Sequence, residues 1–171
     1  MNEYDRLKAE IARYFPAEKT GGLLSSITGT AAAGISAWLL FTGSLYAGMA
    51  YPLTAVALVQ IVAGLSVYRR TDRQVRHLKS RLATDPAGKA LRELERMKKF
   101  RQSFVLYRSI EAALLVIAVA GIFLFGHDPF LFSASIGLAA QSALALLFDT
   151  LAGRRARVYT EALAVFLRAV S

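Results

Sequence analysis

The sequence predicts an all-α integral membrane protein: four transmembrane helices as two hairpins, with a cytoplasmic helical hairpin between them and an N-terminal amphipathic helix. Three observations predict it. Hydrophobic residues make up 55% of the 171 positions, more than a soluble domain of this length carries. Of the 21 Lys and Arg residues, four precede Thr20, thirteen lie within 69–108 and four follow Gly153. The intervening stretches, 20–68 and 109–153, contain no Lys or Arg, and the first runs 49 residues without any formal charge. Crossing the hydrocarbon core takes about 20 apolar residues, so each stretch suits two spans and a tight turn.

Residues 1–19 form the first element. Tyr4, Leu7, Ile11 and Tyr14 recur at helical steps, with Arg6, Lys8, Glu10 and Arg13 on the other faces. Pro16 is expected to close this helix, and its apolar face is expected to lie in the membrane interface, with packing on the basic linker as the other option.

The first transmembrane hairpin, 20–68, divides into spans of about 22–43 and 52–68. Its turn is expected near 44–52, where Gly48, Tyr51 and Pro52 interrupt the apolar pattern. Gly29, Ala33 and Ala37 repeat every four residues, as do Ser26, Thr30 and Gly34. Small faces let helix backbones approach closely in lipid, either within the chain or between copies. Gln60 in the second span brings an amide to mid-membrane, where it is expected to face protein.

Residues 69–108 form the basic linker. Val75, Leu78 and Leu82 continue one apolar stripe, and Leu91, Leu94, Met97 and Phe104 mark another. Between them Asp85-Pro86 reads as an N-cap followed by proline at the first helical position. A helical hairpin follows, with Arg73, Arg76, Lys79, Arg92 and Arg96 as its cytoplasmic surface. It is either a recognition surface or a solvated connector.

The second transmembrane hairpin, 109–153, has spans of about 109–125 and 130–151 joined by Gly126-His127-Asp128-Pro129. Ser133, Gly137, Gln141, Ala145 and Asp149 mark an inward stripe, with Gly137 joining the packing face. Residues 154–171 then form a basic C-terminal amphipathic helix. The order of elements repeats, and a shift of 85 residues superposes Arg69-Arg70 on Arg154-Arg155, a weak sign of duplication.

Glu111 and Asp149 are the carboxylates within the apolar spans; an ion or proton site and a rim ion pair with Arg108 or Arg154 are the two readings. With Gln60 and Gln141 they complete the intramembrane polar candidates. A net charge of +9 would favour nucleic acid in a soluble chain, but these cations flank spans, where anionic headgroups are their partners, so no nucleic acid is expected. There is no cysteine, and His77 and His127 have no ligands at metal spacing, so neither metal nor cofactor is expected. No nucleophile, phosphate-loop or paired-acid motif suggests an enzyme. The expected function is therefore non-enzymatic binding by protein contact at a bacterial inner membrane, as an accessory subunit or a toxin-immunity-type protein. A small oligomeric channel or transporter, with a polar path along spans two to four, is the alternative. Both termini and the linker are expected in the cytoplasm, which gathers all 21 Lys and Arg residues on one side.

Overall fold

The computed structural model describes residues 3–82 and 85–170, the side chains of 79–82 excepted. It consists of four helices, α1 (Glu3–Phe41), α2 (Ala47–Leu82), α3 (Pro86–Leu124) and α4 (Pro129–Val170), with no strand among the described residues. All four are long and apolar enough to cross a membrane. At 1.5 Å per residue they measure about 54 to 63 Å, roughly twice the hydrocarbon thickness. Each helix therefore has about half its length to spare, and the spare halves meet at one end of the molecule.

The contacts define the packing. α1 and α2 run antiparallel, with Gly22 against Gly64 and Gly29 against Ala57. α3 and α4 do the same, with Gly121 against Ser135 and Glu93 against Tyr159. The two pairs are joined chiefly through α2 and α4, which run parallel and bring Gly48 to Phe130 and Gln60 to Gln141. The amide pair joins residues 81 positions apart in the chain. The backbones of α1 and α3 do not approach closely among the described residues, and the two helices meet through side chains.

At the charged end the helices build a core of their own. Leu7, Ile11, Tyr14 and Phe15 from α1 meet Ala90, Leu94 and Met97 from α3, together with Ala156, Tyr159, Leu163 and Phe166 from α4. Val75 and Leu78 from α2 pack onto the same cluster. We call this end the head. The remaining length, the body, has Ala32, Leu39, Ala50, Leu53 and Ala57 at its α1–α2 seam. Outside the seams the body is covered with exposed apolar side chains, among them Trp38, Val59, Val116, Ile117 and Phe123. So large an exposed apolar surface is untenable in water and suits a lipid surround.

Several boundaries differ from those read in the sequence. Pro16 does not end its helix, because α1 continues through it to Phe41. Proline inside a helix costs about 3 kcal/mol. Burial of Tyr14 and Phe15 on one side of it and of Gly22 on the other offsets that cost. Gly153 likewise lies inside α4, so the described part of 154–171, up to Val170, continues that helix instead of starting a new one. The apolar face of residues 3–15 is buried against α4 and α3, with Leu7 1% and Ile11 2% exposed, so it is not available to the membrane interface.

The first turn falls earlier than 44–52. α1 ends at Phe41, and Gly43 adopts the left-handed conformation, φ +60°, that releases the chain. The Ser44 hydroxyl oxygen then accepts the Tyr46 backbone N–H at 3.1 Å at the start of α2. Gly48 serves packing instead, since a Cβ there would collide with the Phe130 carbonyl. Asp85 caps α3, its carboxylate accepting the Gly88 N–H at 3.0 Å with Pro86 following. Asp128 caps α4, accepting from Phe130 and Leu131.

Candidate functional site

The candidate polar residues fall at three levels of the bundle. Deepest in the body, the Gln141 side-chain amide donates to the Gln60 side-chain oxygen at 3.1 Å, and both residues are buried. This bond spans the α2–α4 seam between the two helix pairs. The Gln60 Nε2 has no hydrogen-bond partner within the chain. Truncating either amide leaves the other unsatisfied, so Gln60→Leu and Gln141→Leu should each lower stability in detergent by about 1 kcal/mol. The double variant should lose less than the two singles together in thermal unfolding; additive losses would show that the amides act independently.

Glu111 and Asp149 lie higher, on the facing helices α3 and α4, and Arg108 is the cation acting on both. No ion pair within 4.0 Å joins either carboxylate to a base among the described residues. Arg108 is exposed. Arg154, the other expected partner, is exposed as well; its neighbour Arg155 turns inward, donating to the Ala17 carbonyl and tying α4 to α1. A one-residue step rotates a helical side chain by about 100°, which decides which of two adjacent arginines faces the bundle.

Between body and head lies a cavity of about 450 Å³. Its walls include Glu18, Arg70, Asp149 and Arg155 among apolar neighbours such as Phe100 and Phe104. Composition could not have located it, because its charges come from three helices far apart in the chain. Glu18 pairs loosely with Arg70 at 3.8 Å, and Lys19 pairs closely with Asp72 at 2.8 Å. Burial holds the Glu18 carboxyl above its ordinary value near 4.5, against the opposing pull of Arg70 and Arg96. A carboxyl raised on folding contributes stability that is complete below the ordinary range and is lost as pH rises through the folded value. Glu18→Gln should remove this dependence, so that the variant gains on the wild type as pH increases from about 4.5 upward. A melting-temperature difference independent of pH would contradict that account.

In the head, Tyr14 and Tyr159 stack at 4.6 Å, and the Tyr159 hydroxyl donates to Glu93 at 3.3 Å. Arg96 grips Glu93 with two hydrogen bonds of 2.6 and 2.9 Å. Burial alone would lower the Arg96 guanidinium; the bonds and charge of Glu93 override it and raise the group instead. Arg96 thus belongs to an internal network, whereas Arg73, Arg76 and Arg92 are exposed. The Lys79 side chain lies outside the described residues, as does that of Leu82.

The packing face differs in part from the sequence reading. Gly29 is buried against Ala57, Gln60 and Ile61, and Gly137 against Met49, both within the chain. Ala33 is partly buried against the α1–α2 seam, but Ala37 is exposed. The buried positions in this part of α1 are Gly22, Gly29, Ala32, Ser36 and Leu39. Steps of four drift around a helix of 3.6 residues per turn, whereas alternating threes and fours hold one side. No family model, curated protein or solved structure matches this chain.

Proposed function

We propose that this protein is a non-enzymatic, membrane-anchored binding protein of a bacterial inner membrane, an accessory-subunit or immunity-type module that acts by protein contact. In this reading the body crosses the bilayer four times as two hairpins, and the head, with both termini, stands in the cytoplasm. The observation that carries it is the division of labour between interior and exterior. The glycine seams of the body and the apolar core of the head are consumed by contacts within the chain. What remains for recognition is the outer face of the head, which carries exposed cations such as Arg73, Arg76 and Arg92.

Two measurements test this. The chain has no cysteine, so single thiols can be introduced for labelling. Cysteines at exposed Leu45 and His127 should react with an impermeant reagent from outside intact cells, and one at Lys98 should not; the reverse pattern would overturn the orientation. A photo-crosslinker at Arg76 or Arg92 should then capture a defined partner protein, absent when the probe is moved to Val116 in the body. Equal capture at all three positions, or none at the head, would sink the binding reading.

One observation favours the channel or transporter alternative. Gln60 Nε2, Ser142 Oγ and Glu111 Oε2, from α2, α4 and α3, are buried without hydrogen-bond partners in the chain. Ion flux in proteoliposomes that disappears in Gln60→Leu while the fold persists would favour that class.

A further inference from the structure

On the flank of the head, α2 and α3 line an open groove of about 650 Å³, within the size range of small-molecule sites. Its basic side chains come from two helix faces. Arg70, Arg73 and His77 follow one another at steps of three and four on α2; Lys89, Arg92 and Arg96 do so at three and four on α3. Such steps put each trio on one side of its helix. Glu93 is the one carboxylate among the described lining residues, and it is held by Arg96. Arg70 is partly offset by Glu18. Arg73, Lys89 and Arg92 have no carboxylate within ion-pair distance among the described residues.

The tendency of cations to gather on the cytoplasmic side of spans does not explain this arrangement. That tendency needs bases outside the membrane, not two rows of them turned toward one groove, where like charges repel. From this geometry we infer that the groove is a binding site for a phosphate-bearing anion with at least two negative charges. Arginine forks match phosphate oxygens bidentately, and three uncompensated bases suit a multivalent ligand better than a single carboxylate. Gln74 supports the assignment. It lines the groove, and its side-chain oxygen is buried with no partner. The other end of that amide is an NH2, a neutral donor from which a phosphate oxygen can accept. Phe15 gives the groove an apolar wall for the carbon portion of the ligand.

Two sources share this chemistry. Arg70 follows directly on the second span and His77 stands about 10 Å farther along the helix, so a lipid headgroup with more than one phosphate can reach the groove from the bilayer. A soluble polyphosphate can reach it from the cytoplasm. The inference goes beyond the partner-binding reading and does not depend on it, because its ligand is not a protein.

The test uses the full chain in nanodiscs. Inorganic tripolyphosphate is titrated by calorimetry into discs of phosphatidylcholine, and binding of diphosphatidylglycerol from mixed discs is followed by native mass spectrometry. Saturable binding of either is expected, weakened at least about tenfold in Arg73→Gln/Arg92→Gln. Lys98→Gln/Arg101→Gln, equal in charge change, exposed and outside the groove, should bind within about twofold of the wild type. Binding of tripolyphosphate in neutral discs identifies a soluble ligand, and binding of the diphosphate lipid alone identifies a headgroup. An equal loss in both double variants would mean diffuse attraction and overturn the site, as would saturable binding of neither probe. Retained circular dichroism in each variant excludes unfolding as the cause.

Discussion

Gly64→Leu should separate α1 from α2 and produce a large loss of stability in the body. A side chain at Gly64 would meet the carbonyl oxygen of Gly22, with the Ser26 backbone nitrogen 3.0 Å away; a Cβ at Gly22 would lie 2.8 Å from the carbonyl of Gly64. These obstacles are backbone atoms, which no rotamer change can move aside. Overpacking usually costs 1–3 kcal/mol, and a contact between two backbones belongs at or above the top of that range, about 3 kcal/mol. For a chain of this size that corresponds to a fall in melting temperature of roughly 6 to 12 °C. Gly34 is the matched control, since a Cβ there meets nothing within 4 Å. Circular dichroism melts in one detergent should therefore leave Gly34→Leu near the wild type. If the two glycine variants melt together, close approach of α1 and α2 does not hold the body.

The second large effect is expected in the head. Tyr159 is fully buried, stacked on Tyr14, edge-on to Phe15 at 5.8 Å and hydrogen-bonded to Glu93. Removing a buried aromatic ring costs about 3–5 kcal/mol through lost burial and the cavity left behind, so Tyr159→Ala should cost that much. Tyr159→Phe keeps the ring and removes one hydrogen bond, for about 1 kcal/mol. Head and body have separate cores, so the loss should be local. Hydrogen exchange should accelerate at Leu7, Leu94 and Leu163 while amides near Ala57 and Gly137 stay protected. Acceleration throughout the chain would mean that the two parts unfold as one unit.

Much of the element order was legible because it depends on local chemistry. Apolar stretches empty of cations identify segments able to cross a bilayer, and the Asp85-Pro86 and Asp128-Pro129 pairs set helix starts through capping and a fixed proline φ. The polar candidates Gln60 and Gln141 could be named as residues meant to face protein, but not as partners of one another. Their meeting requires α2 and α4 to run parallel at one register, a relation between segments 81 residues apart.

By itself, then, the sequence determined the class of solvent, the number of apolar helices and the positions of two turns, since each follows from transfer free energies and backbone preferences of neighbouring residues. Only the tertiary structure decided that α1 passes through Pro16 and α4 through Gly153, because a helix break is avoided when packing on both sides outweighs its local cost. It also decided that the N-terminal apolar face is spent inside the head, that Arg155 and not Arg154 turns inward, and that two rows of bases share a groove. These depend on helix rotation and pairing, where a step of about 100° per residue converts a small difference in register into a different face.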